Sequence, residues 1–157
     1  MKGVTLPGPI LDEMKAHARE CYPDECCGFL IGVASQTEAP EERTILGVER
    51  AANDFDGERR RRFLIRPEEL RDADRRAESS GRAIVGFYHS HPDHPARPSE
   101  FDREHAWPWY SYVVLGVTAV DVAAVGVFEL DAGSSAFHEV PLRVLPQREA
   151  APSMTGR

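Results

Sequence analysis

The chain has 157 residues with a formal net charge of -7, 41% hydrophobic and 29% charged residues, and three cysteines. That length suits one domain that buries about 70% of its unfolded surface without disulfides, and the acidic balance, with a pI near 5.4, excludes nucleic acid as the main partner because phosphate binding needs a basic face. No apolar run approaches the ~18 residues of a membrane span and no charged-then-apolar leader opens the chain, so a cytoplasmic protein without a membrane partner is expected.

In chain order, Pro9 to Glu20 carries apolar residues at Ile10, Leu11, Met14 and Ala18 with charges between them, which predicts an amphipathic helix with Cys21 near its end. Cys27 to Ala34 reads as a buried strand, Ser35 to Glu42 as a loop, Thr44 to Ala52 as a second strand, and Phe63 to Ile65 as a short one. Cys26 and Cys27 are adjacent and form no C-x-x-C pair; Cys27 is expected to be buried and reduced. Pro67 sits at the favoured first-turn position of a helix that runs to a stop at Gly81. Ala83 to His91 is a strand ended by Pro92, and Ser99 opens a further helix. Three apolar runs, Ser111 to Val117, Val120 to Leu130 and Ala136 to Val144, suggest antiparallel strands that close the sheet. Residues 1–145 thus form one α/β domain with a mixed central sheet flanked by helices, and residues 146–157 read as a polar, disordered tail.

Chemistry concentrates in His89 to Asp102, the stretch HSHPDHPARPSEFD. Residues two apart on a strand face the same way, with Cα atoms roughly 6.5–7 Å apart, so the imidazoles of His89 and His91 can converge on one ion while Ser90 points away. Catalytic zinc takes three protein ligands and keeps one position open, and Asp102, in the first turn of the Ser99 helix, is the best third candidate. Ser99-x-x-Asp102 also fits a capping box, a device with no chemistry of its own. The combination of two same-face histidines, a strand-ending proline, a serine and an acid within fourteen residues favours the metal site.

The same chain carries Pro23-x-Glu25-x-Cys27-Gly28-x-Leu30-x-Gly32. Together with H-x-H-P-x(6)-S-x(2)-D, this pattern resembles the JAMM (MPN+) zinc metalloprotease family over about residues 10–145, and within it the short, stand-alone bacterial members. The resemblance implies the cytidine-deaminase-like α/β fold, one Zn2+ per chain held by His89, His91 and Asp102, Glu25 as general acid/base, and Ser99 as oxyanion stabiliser. Chemistry makes sense of that set: zinc activates water and polarises a carbonyl, a carboxylate carries the proton to the leaving amine, and a hydroxyl steadies the oxyanion. The implied substrate is an amide, peptide or isopeptide, at or near the C-terminus of a ubiquitin-like protein of the sulfur-carrier type. No oligomeric state follows from the pattern.

Two rival functions belong to other classes. His89-x-His91-x-Asp93-His94 also satisfies the binuclear signature of metallo-β-lactamase-like hydrolases, which need more chain and further ligands downstream, where only His105, His138 and scattered acids remain. A non-catalytic MPN scaffold would lack the ligands that are present here. Three loops are left to set specificity: Ser35 to Glu42, Asp54 to Arg62 and Asp93 to Pro98. Within them the run Arg59 to Arg62 reads either as a solvated loop or as a grip on an acidic partner or peptide carboxylate. The cluster Trp107, Trp109, Tyr110 and Tyr112 reads as core packing, with a partner-docking patch as the alternative.

Overall fold

The computed structural model describes residues 3–33 and 42–146. Its strands are β1 (Gly3–Pro7), β2 (Cys27–Val33), β3 (Glu42–Ala51), β4 (Arg82–Pro92), β5 (Ser111–Val117), β6 (Val122–Leu130), β7 (Phe137–Val140) and β8 (Leu142–Leu145); the helices are α1 (Gly8–Cys21), α2 (Pro67–Ser79) and α3 (Glu100–Glu104). All eight strands join one mixed sheet in the order β7-β6-β5-β4-β2-β3-β1-β8. Only Pro141 separates β7 from β8, yet these strands stand at opposite ends of that order. The sheet therefore curls until its ends meet. Pro141 has no N–H for the ladder, and its carbonyl accepts the Val4 N–H at 2.9 Å, where the chain leaves β6 and joins β1.

Helix α1 fills the concave side. It buries Leu11, Met14, His17 and Ala18, the three-and-four spacing of a helix with one apolar stripe. These pack with Leu6, Leu30, Ile45, Val85, Tyr88 and Leu115 into the larger of two cores. Helix α2 covers the other side, where small Ala73 and Ala77 let it approach Phe29, Ile31 and Ile84 closely. Pro67 stands in its first turn, Glu68 and Glu69 follow, and Gly81 beyond its end takes φ +71°. Covered on both sides, the central strands read as nearly unbroken apolar runs.

The pattern of two apolar faces is interrupted once in a way that matters. Leu30 pairs with Gly86 and Ile31 with Ile84, so Val85 is an extra residue in β4. A bulge of this kind flips every later side chain to the opposite face. After it, Tyr88 and Ser90 face α1, while Phe87, His89 and His91 share the convex side. Ser90 closes the arrangement by accepting the Cys26 N–H on its Oγ at 2.8 Å.

Of the three C-terminal runs, β5, β6 and β7 pair antiparallel with one another as expected, while β5 joins β4 in parallel, because α3 and its flanking loops form a crossover between them. Other expectations are corrected. The run Ala136 to Val144 is divided at Pro141 and serves both ends of the sheet. β6 begins at Val122, since Thr118 to Asp121 closes a turn through Thr118 N–H to Asp121 O at 2.9 Å. Phe63 to Ile65 is not a strand: Phe63 and Ile65 pack on the convex core with no ladder partner, and the Leu64 N–H goes to Asn53 Oδ1 at 3.2 Å. β1 was not anticipated at all. Of the expected loop Ser35 to Glu42, all but Glu42, which opens β3, lies outside the described residues, as do residues 147–157.

The cysteines behave as read. Cys21 ends α1, and Cys26 and Cys27 are buried free thiols.

Candidate metal centre

The end of β4 and the start of α3 meet on the convex side, below the loop Asp93 to Pro98. There His89 Nε2 and His91 Nε2 lie 3.2 Å apart, and Asp102 Oδ2 stands 3.0 Å from the first and 3.1 Å from the second. The three side chains are at most 8% exposed. Donors around tetrahedral zinc, with bonds of about 2.0–2.1 Å, stand roughly 3.3–3.4 Å apart, so this triangle is close to the required size.

The tautomers sharpen the fit. His91 Nδ1 lies 3.1 Å from the Pro95 carbonyl, which only accepts, so Nδ1 carries the proton and a neutral His91 turns a bare Nε2 toward the Asp102 carboxylate. Two acceptors at that distance repel unless a positive charge sits between them. A cation satisfies all three donors together. His89 is fixed differently, by a Phe63 ring stacked 4.7 Å away, and its buried Nδ1 has no partner.

Asp102 belongs to two structures at once. Ser99 Oγ accepts the Asp102 N–H at 3.1 Å, and Asp102 Oδ2 accepts the Ser99 N–H at 2.8 Å, which completes a capping box. The capping box expected at Ser99-x-x-Asp102 is thus present, and it aims the carboxylate at the histidines. Burial alone would raise the Asp102 carboxyl, but the adjoining imidazoles, His89 foremost, and the Ser99 N–H outweigh it and hold the group well below the usual carboxylate range.

Glu25 approaches from the segment before β2. It is 3% exposed, and its Oε1 has no hydrogen-bond partner. Burial pushes its carboxyl up to about 9, the Asp102 charge adds to the rise, and Arg62 opposes it. A dication on the three donors would act in the same direction as Arg62. Glu25 and Ser99 line one cleft of about 650 Å³ with His91, His94, Pro95 and Arg97. On the opposite flank of the triad runs an apolar groove of about 270 Å³, lined by Phe63, Leu64, Phe87, Phe101, Trp107 and Tyr112 beside His89 and Asp102.

Sequence reasoning missed the residue that positions Glu25. Asn53 donates from Nδ2 to the carbonyls of Glu25 at 3.1 Å and Arg62 at 3.0 Å, while its Oδ1 accepts the N–H groups of Phe55 and Leu64. It ties the Glu25 segment to the arginine loop, and nothing in its sequence surroundings signals this. The aromatic cluster divides: Trp109 packs against the concave core with the Arg43 guanidinium over its ring, whereas Trp107 is 66% exposed at the apolar groove. Asp93 and His94 do not join the triad, since His94 is exposed and Asp93 Oδ2 accepts the Tyr22 hydroxyl at 2.7 Å. Among the described residues, the one group of three or more His, Cys, Asp or Glu side chains placed to hold an ion is His89, His91 and Asp102. A second metal on the binuclear pattern has no ligands there.

Comparison with known proteins places the chain in a family. Residues 7–128 match the family model described as prokaryotic homologs of the JAB domain. A desampylase from Haloferax volcanii is 35% identical over 116 residues, which cover 71% of this chain and 78% of that protein. Among solved structures, a protein from Desulfitobacterium hafniense superimposes with TM-score 0.77 at 28% identity, covering 93% of this chain and 95% of that one. One from Salinibacter ruber gives 0.68 at 34%, covering 90% and 91%. A JAB1/MPN domain protein from Archaeoglobus fulgidus, 19% identical, shares the fold with TM-score 0.55 over 92% of this chain and 99% of its own. With the family model spanning most of the sequence, this chain belongs to the JAMM/MPN family, among its prokaryotic JAB-domain members.

Proposed function

We propose that this protein is a zinc metallopeptidase that hydrolyses an amide bond, peptide or isopeptide, at or near the C-terminus of a ubiquitin-like protein of the sulfur-carrier type. The observation that carries the reading is the convergence of two imidazole nitrogens and a carboxylate oxygen within 3.2 Å, beside a buried, unpartnered glutamate. The similarity to a desampylase supports the substrate class. His89, His91 and Asp102 would hold one zinc, which supplies Lewis acidity toward the scissile carbonyl and a water molecule. Glu25 would take a proton from the attacking water and deliver it to the departing amine as the C–N bond breaks. Burial raises this carboxyl above its ordinary range, while Arg62 and a cation on the neighbouring donors would draw it back toward neutrality, where one group can both take and give a proton. Ser99 Oγ accepts from the Asp102 N–H and keeps its own proton, which it donates to the oxyanion.

Residues 1–145 form the catalytic domain in this reading, and the substrate class implies a cytoplasmic reaction. The loops Asp54 to Arg62 and Asp93 to Pro98 wall the cleft and set specificity. The apolar groove takes the acyl side, the substrate's own C-terminal tail. The test is to offer the purified protein a sulfur carrier with residues beyond its Gly-Gly terminus and to follow its mass. We expect a product ending in Gly-Gly, and a loss of turnover of about 10²-fold or more in Glu25→Gln with zinc retained. An uncut carrier, or a Gln variant at near-native rate, would refute the assignment.

A further inference from the structure

The net charge of the chain is -7, yet the cleft beside Glu25 has a cationic rim. Arg61, Arg62 and Arg97 line it against two acids, Glu25 and Glu100. Glu100 is already engaged by the Arg103 guanidinium, with Nε at 3.2 Å. Arg61 reaches Glu58 only at 3.8 Å, with both side chains well exposed, a contact of little worth. Arg62 lies 4.3 Å over the Phe101 ring, which holds its guanidinium at the wall and leaves its N–H edge free. Among the described residues, neither Arg62 nor Arg97 is in an ion pair. The other two arginines of the run do not line the cleft: Arg59 donates from Nε to the Phe55 carbonyl at 2.9 Å, and Arg60 lines an adjoining depression with Tyr22 and Asp93, of which Arg61 and His94 form the shared edge.

Position decides which part of a substrate meets these cations. A leaving amine must come within about 2.6–3.2 Å of the group that protonates it. Glu25 lines the cationic cleft and does not line the apolar groove across the triad. The departing group therefore lies among the arginines. The cleft volume, about 650 Å³, is that of a small-ligand pocket, whose range is roughly 300–1,000 Å³. Guanidinium groups with free N–H edges match a carboxylate by paired, charge-assisted hydrogen bonds.

We infer that this cleft is a carboxylate-binding subsite for the leaving group. The favoured substrate ends in an amino acid or short peptide whose free α-carboxylate is held by Arg61 and Arg97, with Arg62 at the wall. A lysine of a folded protein, departing from an isopeptide bond, offers no such carboxylate and is cleaved less well. This rests on the peptidase reading above and narrows its substrate.

The experiment compares two semisynthetic sulfur carriers, each extended beyond Gly-Gly by one alanine, as the free acid and as the C-terminal amide. The scissile bond is the same and only the terminal charge differs. We expect kcat/KM for the acid to exceed that for the amide by about tenfold or more. In an Arg61→Ala/Arg97→Ala double variant, which removes two exposed side chains, the ratio should fall toward one. Equal rates with wild type would overturn the subsite while leaving the peptidase intact. A preference that survives in the double variant would overturn the role of these arginines. Cleavage of neither substrate would overturn the peptidase reading and the subsite with it.

Discussion

Ser99 holds two positions in the chemistry of this chain, and they make different demands on the same atoms. Its Oγ caps α3 by accepting the Asp102 N–H, while its own N–H steadies the carboxylate that faces the histidines. The backbone bond survives substitution; the hydroxyl does not. As a cap alone, Ser99→Ala should cost about 1 kcal/mol and Ser99→Gly a few tenths, with little change in rate. As an oxyanion donor, both should lose about 10- to 1000-fold in kcat, because neither side chain donates. We expect the second outcome on top of the first, read from melting temperature and kcat for the three proteins. Activity that follows stability, with Gly close to wild type, would leave Ser99 a cap only. His89, His91 and Asp102 were legible because strand and helix-start geometry bring them together over a short stretch of chain. Glu25 was not, because its burial depends on Asn53 and Arg59, whose carbonyl accepts the Glu25 N–H at 2.7 Å across a long stretch of sequence. Only the family resemblance pointed to it.

At the level of elements, Tyr88 is the junction that fixes β4 against both neighbours. Its hydroxyl meets His17 Nδ1 of α1 at 2.7 Å, and its ring lies over Gly28 of β2, where an added Cβ would stand 2.2 Å from Tyr88 Cε2. The glycine in the Glu-x-Cys-Gly motif is thus required by close approach. Gly28→Ala should destabilise the fold by about 3 kcal/mol or more, measured as a urea midpoint shift, and a loss below about 0.5 kcal/mol would show that the ring moves aside freely. The His17 side of the junction gives a pH dependence. Burial first, then Arg50, lowers the imidazole to about 4. The unfolded chain therefore binds a proton that the native state refuses between about pH 6.5 and 4, so stability should fall on acidification through that window by up to about 1.4 kcal/mol per pH unit. His17→Gln should flatten this slope relative to wild type in urea titrations; an unchanged slope would place the titration elsewhere. The long elements, α1, α2, β2, β4 and β5, follow from apolar spacing and from Pro67 and Gly81. β1 and β8 escaped because their pairing is between chain ends, and five residues of β1 carry no periodic signal of their own.

For the molecule as a whole, a curled sheet with its two ends joined by the β7–β8 strand makes a rigid frame. The three side chains that could hold a metal are drawn from the end of one central strand and the helix that follows it. The acidic composition hid a local excess of arginines at the cleft, since a net charge carries no information about where the arginines gather. Likewise the parallel step from β4 to β5 could not be read from apolar runs, which look alike in either direction. Among the described residues no helix is long and apolar enough to cross a membrane. The central claim is that His89, His91 and Asp102 together bind the catalytic zinc, and elemental analysis of purified protein tests it most directly. We expect about one zinc per chain in the wild type and a sharp fall in His89→Ala and Asp102→Ala, both still folded by circular dichroism. Full zinc content in the two variants, or a folded wild-type protein that takes up no zinc when it is supplied, would contradict it.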